Sequence, residues 1–123
     1  MTERAHIIGI GVDLVDVARF ERSLAKTPRL LERLFAETER SGSSRSLAGR
    51  FAAKEAFIKA VGDPRGMRWH EVVIAKDALG KPSIAASGGV AKILSAAGID
   101  KLHLSITHDG AMACAMVVAE GVN

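Results

Sequence analysis

The chain has one cysteine, Cys114, no tyrosine, one tryptophan and four phenylalanines among its 123 residues. A single thiol forms no intramolecular disulfide and builds no cysteine-based zinc site. Cys114 sits in the apolar run from Ala111 to Ala119 and reads as a small buried hydrophobe rather than a reactive thiol. Scarce aromatics leave little material for the stacking platforms of single-strand nucleic-acid binders. No run approaches the length of a membrane-crossing helix. The apolar stretch Ile7 to Val12 contains two glycines and stops at Asp13, which is not a secretory signal. Neither a Gly-x-x-x-x-Gly-Lys-Ser/Thr loop nor a Gly-x-Gly-x-x-Gly turn occurs, so a P-loop and a dinucleotide fold are both unsupported. The expectation is a cytoplasmic protein whose partners include neither membrane nor nucleic acid. The net charge of +3 is mild and suits an acidic partner or a phosphorylated ligand.

What is present fits one domain over residues 1–123, with apolar residues enough for an ordinary core. Ile7 to Val12 reads as a strand with Gly9, Gly11 and Asp13 on one side and Ile8, Ile10 and Val12 on the other. Helical spacing follows at Val17, Phe20 and Leu24, ending before Pro28, and again at Leu30, Leu31, Leu34 and Phe35. Ser41 to Ser46 reads as a mobile polar loop. Leu47 to Val61 reads as a long helix, rich in Ala, Lys and Glu. A turn at Gly62-Asp63-Pro64-Arg65-Gly66 closes it. Glu71 to Lys76 and Lys81 to Ala86 suit a hairpin around Asp77 to Gly80. Val90 to Ala97 reads as a short helix between Gly89 and Gly98. Lys101 to Thr107 alternates as a strand with one polar face, and Asp109-Gly110 turns into a last apolar strand through Val118. The fold class is α+β, a single domain with an antiparallel sheet and a helical insertion after the first strand.

The chemistry centres on the long helix. Leu47, Phe51, Glu55, Ile58 and Gly62 share a stripe, and Phe51 and Ile58 are expected to face the core with Glu55 between them. A carboxylate there is costly unless it is paired, hydrogen-bonded, protonated or metal-bound. An ordinary salt bridge satisfies that requirement as well as a metal does. Asp13 is the second acid, at the end of a strand whose same-side neighbours are glycines; an aspartate there also serves as a plain helix N-cap. Two hard oxygen donors from separate elements suit Mg²⁺, which takes its other ligands from water and substrate phosphate. No His-x-x-x-His or cysteine pair competes for a softer metal. Arg50 and Lys54 are four apart, as are Glu55 and Lys59, so cations flank the acid. A guanidinium fork and two ammonium groups match a diphosphate, although a solvated face stitched by a Glu55–Lys59 pair is the plainer account. His108 ends the strand carrying Ser105 and Thr107, where a hydroxyl and an imidazole are placed to bind phosphate. Arg19, Arg22 and Lys26 lie at helical spacing after Asp13 and form a basic strip.

Gly9-Ile10-Gly11-Val12-Asp13 with Arg19, Arg50-Phe51-Ala52-Ala53-Lys54-Glu55-Ala56 with Lys59-Ala60, Gly80-Lys81-Pro82, and Ser105-Ile106-Thr107-His108 together resemble the holo-acyl-carrier-protein synthases. These are the small stand-alone phosphopantetheinyl transferases of bacteria, and the likeness runs nearly the whole chain in order. The resemblance implies an enzyme that moves the 4′-phosphopantetheine arm of coenzyme A to a serine of apo-acyl carrier protein, releasing adenosine 3′,5′-bisphosphate. It implies Asp13 and Glu55 as Mg²⁺ ligands, with Glu55 and Lys59 catalytic. It implies Arg50, Lys54, Lys59, Thr107 and His108 on coenzyme A, and Arg19 on the acidic carrier, where the helical spacing of Arg22 and Lys26 is expected to extend the contact. It also implies a homotrimer with sites between subunits. Many members carry a Gly-Thr-Gly type of turn after the position of Lys59, where this chain has Gly62 to Gly66. A nucleotide or nucleic-acid binding module and a Mg²⁺-dependent phosphohydrolase are the alternatives that the same residues allow.

Overall fold

The first strand carries glycine where most strands carry a side chain, and that decides how the domain is put together. In the computed structural model, which describes residues 4–62 and 65–122, β1 (Ala5–Asp16) pairs antiparallel with β5 (Met112–Val122). On its other edge β5 pairs with β4 (Lys101–Asp109), giving the sheet order β1-β5-β4. The long helix α3 (Ser44–Val61) lies across the inner face. A Cβ on Gly9 or Gly11 would overlap the backbone carbonyls of Ala60 and Ala56, respectively. Strand and helix therefore touch backbone to backbone, an approach only glycine allows. Ala52, Ala53, Ala56 and Ala60 on α3 are buried, as are Ala113, Ala115, Val117 and Ala119 on β5. Small residues on both partners make the layer thin.

The chain between β1 and α3 forms a helical side wall. Helix α1 (Val17–Lys26) starts at Asp16, whose carboxylate accepts the Arg19 N–H at 2.9 Å; Asp16 is thus the N-cap, and Asp13 stays free for other work. Helix α2 (Arg29–Leu34) and a 3₁₀ turn at Glu37–Glu39 follow. Ser43 caps α3 by accepting the Ser46 N–H, so Ser44 to Ser46 are the first turn of the helix rather than the tail of a loop. After α3 come a second 3₁₀ turn (Trp69–Glu71), the hairpin β2 (Val72–Lys76) and β3 (Pro82–Ala86), and α4 (Gly88–Ala96). The hairpin is a separate two-stranded sheet, where the sequence suggests a single sheet. Asp63 and Pro64 of the expected turn lie outside the described residues.

Two features depart from ordinary layering. The core contains an ion pair: Lys54 and Glu39 are both buried, with Nζ 2.7 Å from Oε1. The sheet's outer face is uncovered, with Ile10 59 %, Val12 55 % and Leu14 60 % exposed and Met116 beside them on β5.

Candidate active site

Because Gly11 seats β1 on α3, the next inward residue along the strand, Asp13, comes beside the Lys59 and Glu55 side chains of the helix. Lys59 Nζ lies 3.1 Å from Asp13 Oδ1 and 3.0 Å from the Val12 carbonyl oxygen. Glu55, four residues earlier on α3, is half-buried in the same place. Burial, and then the charge of Asp13, holds its carboxyl above the ordinary glutamate range, with Lys59 pulling the other way. The two acids are therefore close enough to feel one another, and one cation stands beside them.

They open onto a cavity of about 440 Å³ lined by Asp13, Glu55, Arg19, Phe20, Phe51 and Trp69, among others. Phe20 and Phe51 stack with ring centroids 5.0 Å apart, and Trp69 lies 6.1 Å from Phe51. Sequence reading missed this aromatic wall. Phe51 was expected in the core, but it is only partly covered and faces the cavity beside Glu55. The signal was available, since Phe51 and Glu55 share one stripe of the helix. Arg19 stands at the cavity, while Arg22 and Lys26 are exposed further along α1.

The remaining expected residues divide. Lys54 is a correction: its side chain is wholly buried, and Nζ donates to Leu34 O at 2.7 Å, Glu39 Oε1 at 2.7 Å and Trp69 O at 3.2 Å. An ammonium has three N–H groups, so none remains for a phosphate. Burial pushes this lysine below its ordinary range, against the hydrogen bond it donates to Glu39 and the charge of that carboxylate. Arg50 donates one Nη to Ile74 O and sits 4.0 Å from Glu39, with Nε buried and unpartnered. Thr107 and His108 are neighbours on β4 and so point to opposite faces. Thr107 is exposed on the outer face, while the His108 ring packs inward near Gly49 and bonds Arg45 O at 2.9 Å. Thr107 and His108 therefore present to different sides of β4. Within one chain, the structure brings Asp13, Glu55, Lys59 and Arg19 together and leaves Arg50, Thr107 and His108 away from that cavity.

Two hard carboxylates converging from a strand and a helix fit a small divalent cation. Among the described residues no third acid, histidine or cysteine joins them, which leaves the other positions to water and substrate oxygens.

The family model of the 4′-phosphopantetheinyl transferase superfamily matches residues 9–115. The chain belongs to this superfamily. A holo-[acyl-carrier-protein] synthase of Clavibacter sepedonicus is 55 % identical over 115 residues, covering 94 % of this chain and 97 % of the relative. The crystal structure of holo-[acyl-carrier-protein] synthase from Neisseria meningitidis superposes with a TM-score of 0.83 at 36 % identity, over 93 % and 98 % of the two chains. The Helicobacter pylori synthase, solved in complex with coenzyme A, gives 0.79 at 32 % identity over 89 % and 98 %. The α+β single-domain fold expected from sequence is the fold of these enzymes, and this chain is an enzyme of their family. No helix among the described residues is long and apolar enough to cross a membrane.

Proposed function

We propose that this protein transfers the 4′-phosphopantetheine group of coenzyme A to a serine hydroxyl of an apo-acyl carrier protein, with Mg²⁺, and releases adenosine 3′,5′-bisphosphate. The observation that carries the reading is that Asp13 and Glu55 line one cavity with an aromatic wall while Lys59 bonds Asp13, in a chain of this family. The serine oxygen attacks the phosphorus bearing pantetheine, the bond from that phosphorus to the bridging oxygen breaks, and the nucleotide leaves with the bridging oxygen. Such a displacement needs positioning and charge neutralisation rather than a protein nucleophile. A divalent cation, when bound, supplies Lewis-acid stabilisation of the diphosphate charge. Asp13 and Glu55 would hold it, and Lys59 offsets charge on the departing phosphate. The serine proton passes to water or to a Glu55 carboxylate oxygen.

Arg19, with Arg22 and Lys26, is assigned to the acidic carrier, since it opens onto the cavity that holds the two acids. Arg50, Thr107 and His108 are assigned to the nucleotide half. They lie away from the cavity of their own chain, which supports a site completed across subunits of a homotrimer. The uncovered Ile10, Val12 and Leu14 stripe supports the same assembly, because a contiguous exposed apolar face marks an interaction surface. The protein is placed in the cytoplasm, where coenzyme A and acyl carrier proteins meet.

Incubation with coenzyme A, Mg²⁺ and an apo-carrier, followed by mass spectrometry of the carrier, tests the assignment. The carrier is expected to gain one phosphopantetheine, and Asp13→Ala and Glu55→Gln are expected to abolish the gain. Nucleotide release with an unmodified carrier would instead mark a phosphohydrolase.

A further inference from the structure

The Asp13–Lys59 contact has a direction built into it. The Asp13 side chain is only 17 % exposed and fixed on β1, whereas that of Lys59 is 54 % exposed on a long flexible arm. Any rearrangement of the pair therefore moves the ammonium and leaves the carboxylate in place. The ammonium also rests on the Val12 carbonyl oxygen, so its position on β1 is held by two acceptors. A divalent cation held by the Asp13 carboxylate would meet the ammonium that already rests 3.1 Å from Oδ1, and the two like charges would repel.

We propose that Lys59 is the resident counter-ion of the two-carboxylate site, and that it must leave Asp13 when a divalent cation enters. The exchange turns the Lys59 ammonium out toward the cavity mouth, where a substrate phosphate arrives. Lys59 is thereby positioned by cation loading rather than held permanently on the phosphate. The inference rests on the assignment of Asp13 and Glu55 as cation ligands.

The test measures Mn²⁺ binding to the coenzyme-free protein, by electron paramagnetic resonance of free Mn²⁺, for the wild type, Lys59→Gln, Lys59→Arg and Asp13→Asn. Removing a competing cation from a partly exposed pair is expected to tighten Mn²⁺ binding about two- to fivefold in Lys59→Gln. Lys59→Arg keeps the charge and is expected to bind like the wild type. Equal or weaker Mn²⁺ binding by Lys59→Gln would overturn the exchange. Asp13→Asn separates this failure from a deeper one: it is expected to weaken Mn²⁺ binding, and an unchanged affinity would overturn the two-carboxylate site itself. Circular dichroism of each variant confirms that the fold is retained.

Discussion

Replacing Gly11 by alanine is a perturbation of one methyl group at the contact that sets the whole site. The added Cβ would overlap the Ala56 carbonyl oxygen and stand 2.8 Å from Ala60 N and 2.9 Å from Ala56 C. Carbon atoms rest at roughly 3.5–4.0 Å from such neighbours. All three atoms belong to helix backbone, so no rotamer change relieves the clash. The strand must lift from α3 by about 1 Å. Overpacking of this kind costs about 3 kcal/mol when the obstacle is rigid, or roughly 10 °C in melting temperature for a domain of this size.

The same displacement carries Asp13 away from Glu55 and Lys59, and a 1 Å misplacement of reacting groups costs about 10²-fold in rate. Thermal melts at one fixed protein concentration measure the first effect, and carrier modification at saturating Mg²⁺ and coenzyme A measures the second. Gly89→Ala is the control. Its Cβ would make only ordinary contact, 3.4 Å from Glu71 Oε1, and it lies in the first turn of α4, so it is expected to keep stability and activity or gain slightly. A Gly11→Ala protein that melts and turns over like the wild type would refute the backbone-to-backbone account of the site.

Three further outcomes follow from the same geometry. Lys54→Met leaves the Glu39 carboxylate buried and short of a partner, and is expected to cost about 3–5 kcal/mol in urea denaturation; adding Glu39→Gln should recover part of that loss, and strict additivity would contradict a paired role. Burial and then the Asp13 charge raise the folded-state pKa of Glu55 above the ordinary glutamate value, so the native state binds more protons and the wild type loses stability as pH climbs from the unfolded value through the folded one. In EDTA, the gap in midpoint between Glu55→Gln and wild type should open toward neutral pH, and a gap independent of pH would argue against a desolvated carboxylate. Arg19→Glu is expected to raise KM for the apo-carrier and flatten its salt dependence while coenzyme A affinity stays the same; an unchanged carrier KM at low salt would remove α1 from the docking surface.

The fold was readable where periodicity and turn chemistry agree. The hairpin around Asp77 to Gly80 is an example: the Asp77 carboxylate accepts the N–H groups of Leu79 and Lys81, both at 2.9 Å, which the residue types alone suggest. Helix α3 was readable as a helix but not in its facing. Phe51 and Ile58 were expected to be its buried stripe, yet the residues most deeply covered are alanines, Phe57 and Lys54. A helix enclosed by a sheet on one side and by α1, α2 and β2 on others has no single apolar stripe to find. The pairing of Lys54 with Glu39 joins residues 15 apart across a 3₁₀ turn, and no local pattern announces it. Asp13 and Glu55 were legible for the opposite reason, since each breaks the pattern around it.

Lys54 and Glu55 are adjacent in sequence, and about 100° of helix rotation sends them to different fates. Lys54 ties the carbonyls of Leu34 and Trp69 and the carboxylate of Glu39 into one buried knot. Glu39 in turn accepts the N–H groups of Ala36 and Ile74. Leu34 and Trp69 also line the cavity next to Glu55. The residue that looked like a phosphate ligand thus fastens the cavity wall against α3, while its neighbour faces the reaction. A buried ion pair is a poor source of net stability, but four backbone groups from four segments meet on this one. Apolar replacements of the same volume would leave those backbone groups without partners. The pair is retained, on this argument, because it satisfies the irregular backbone that the wall of the cavity requires.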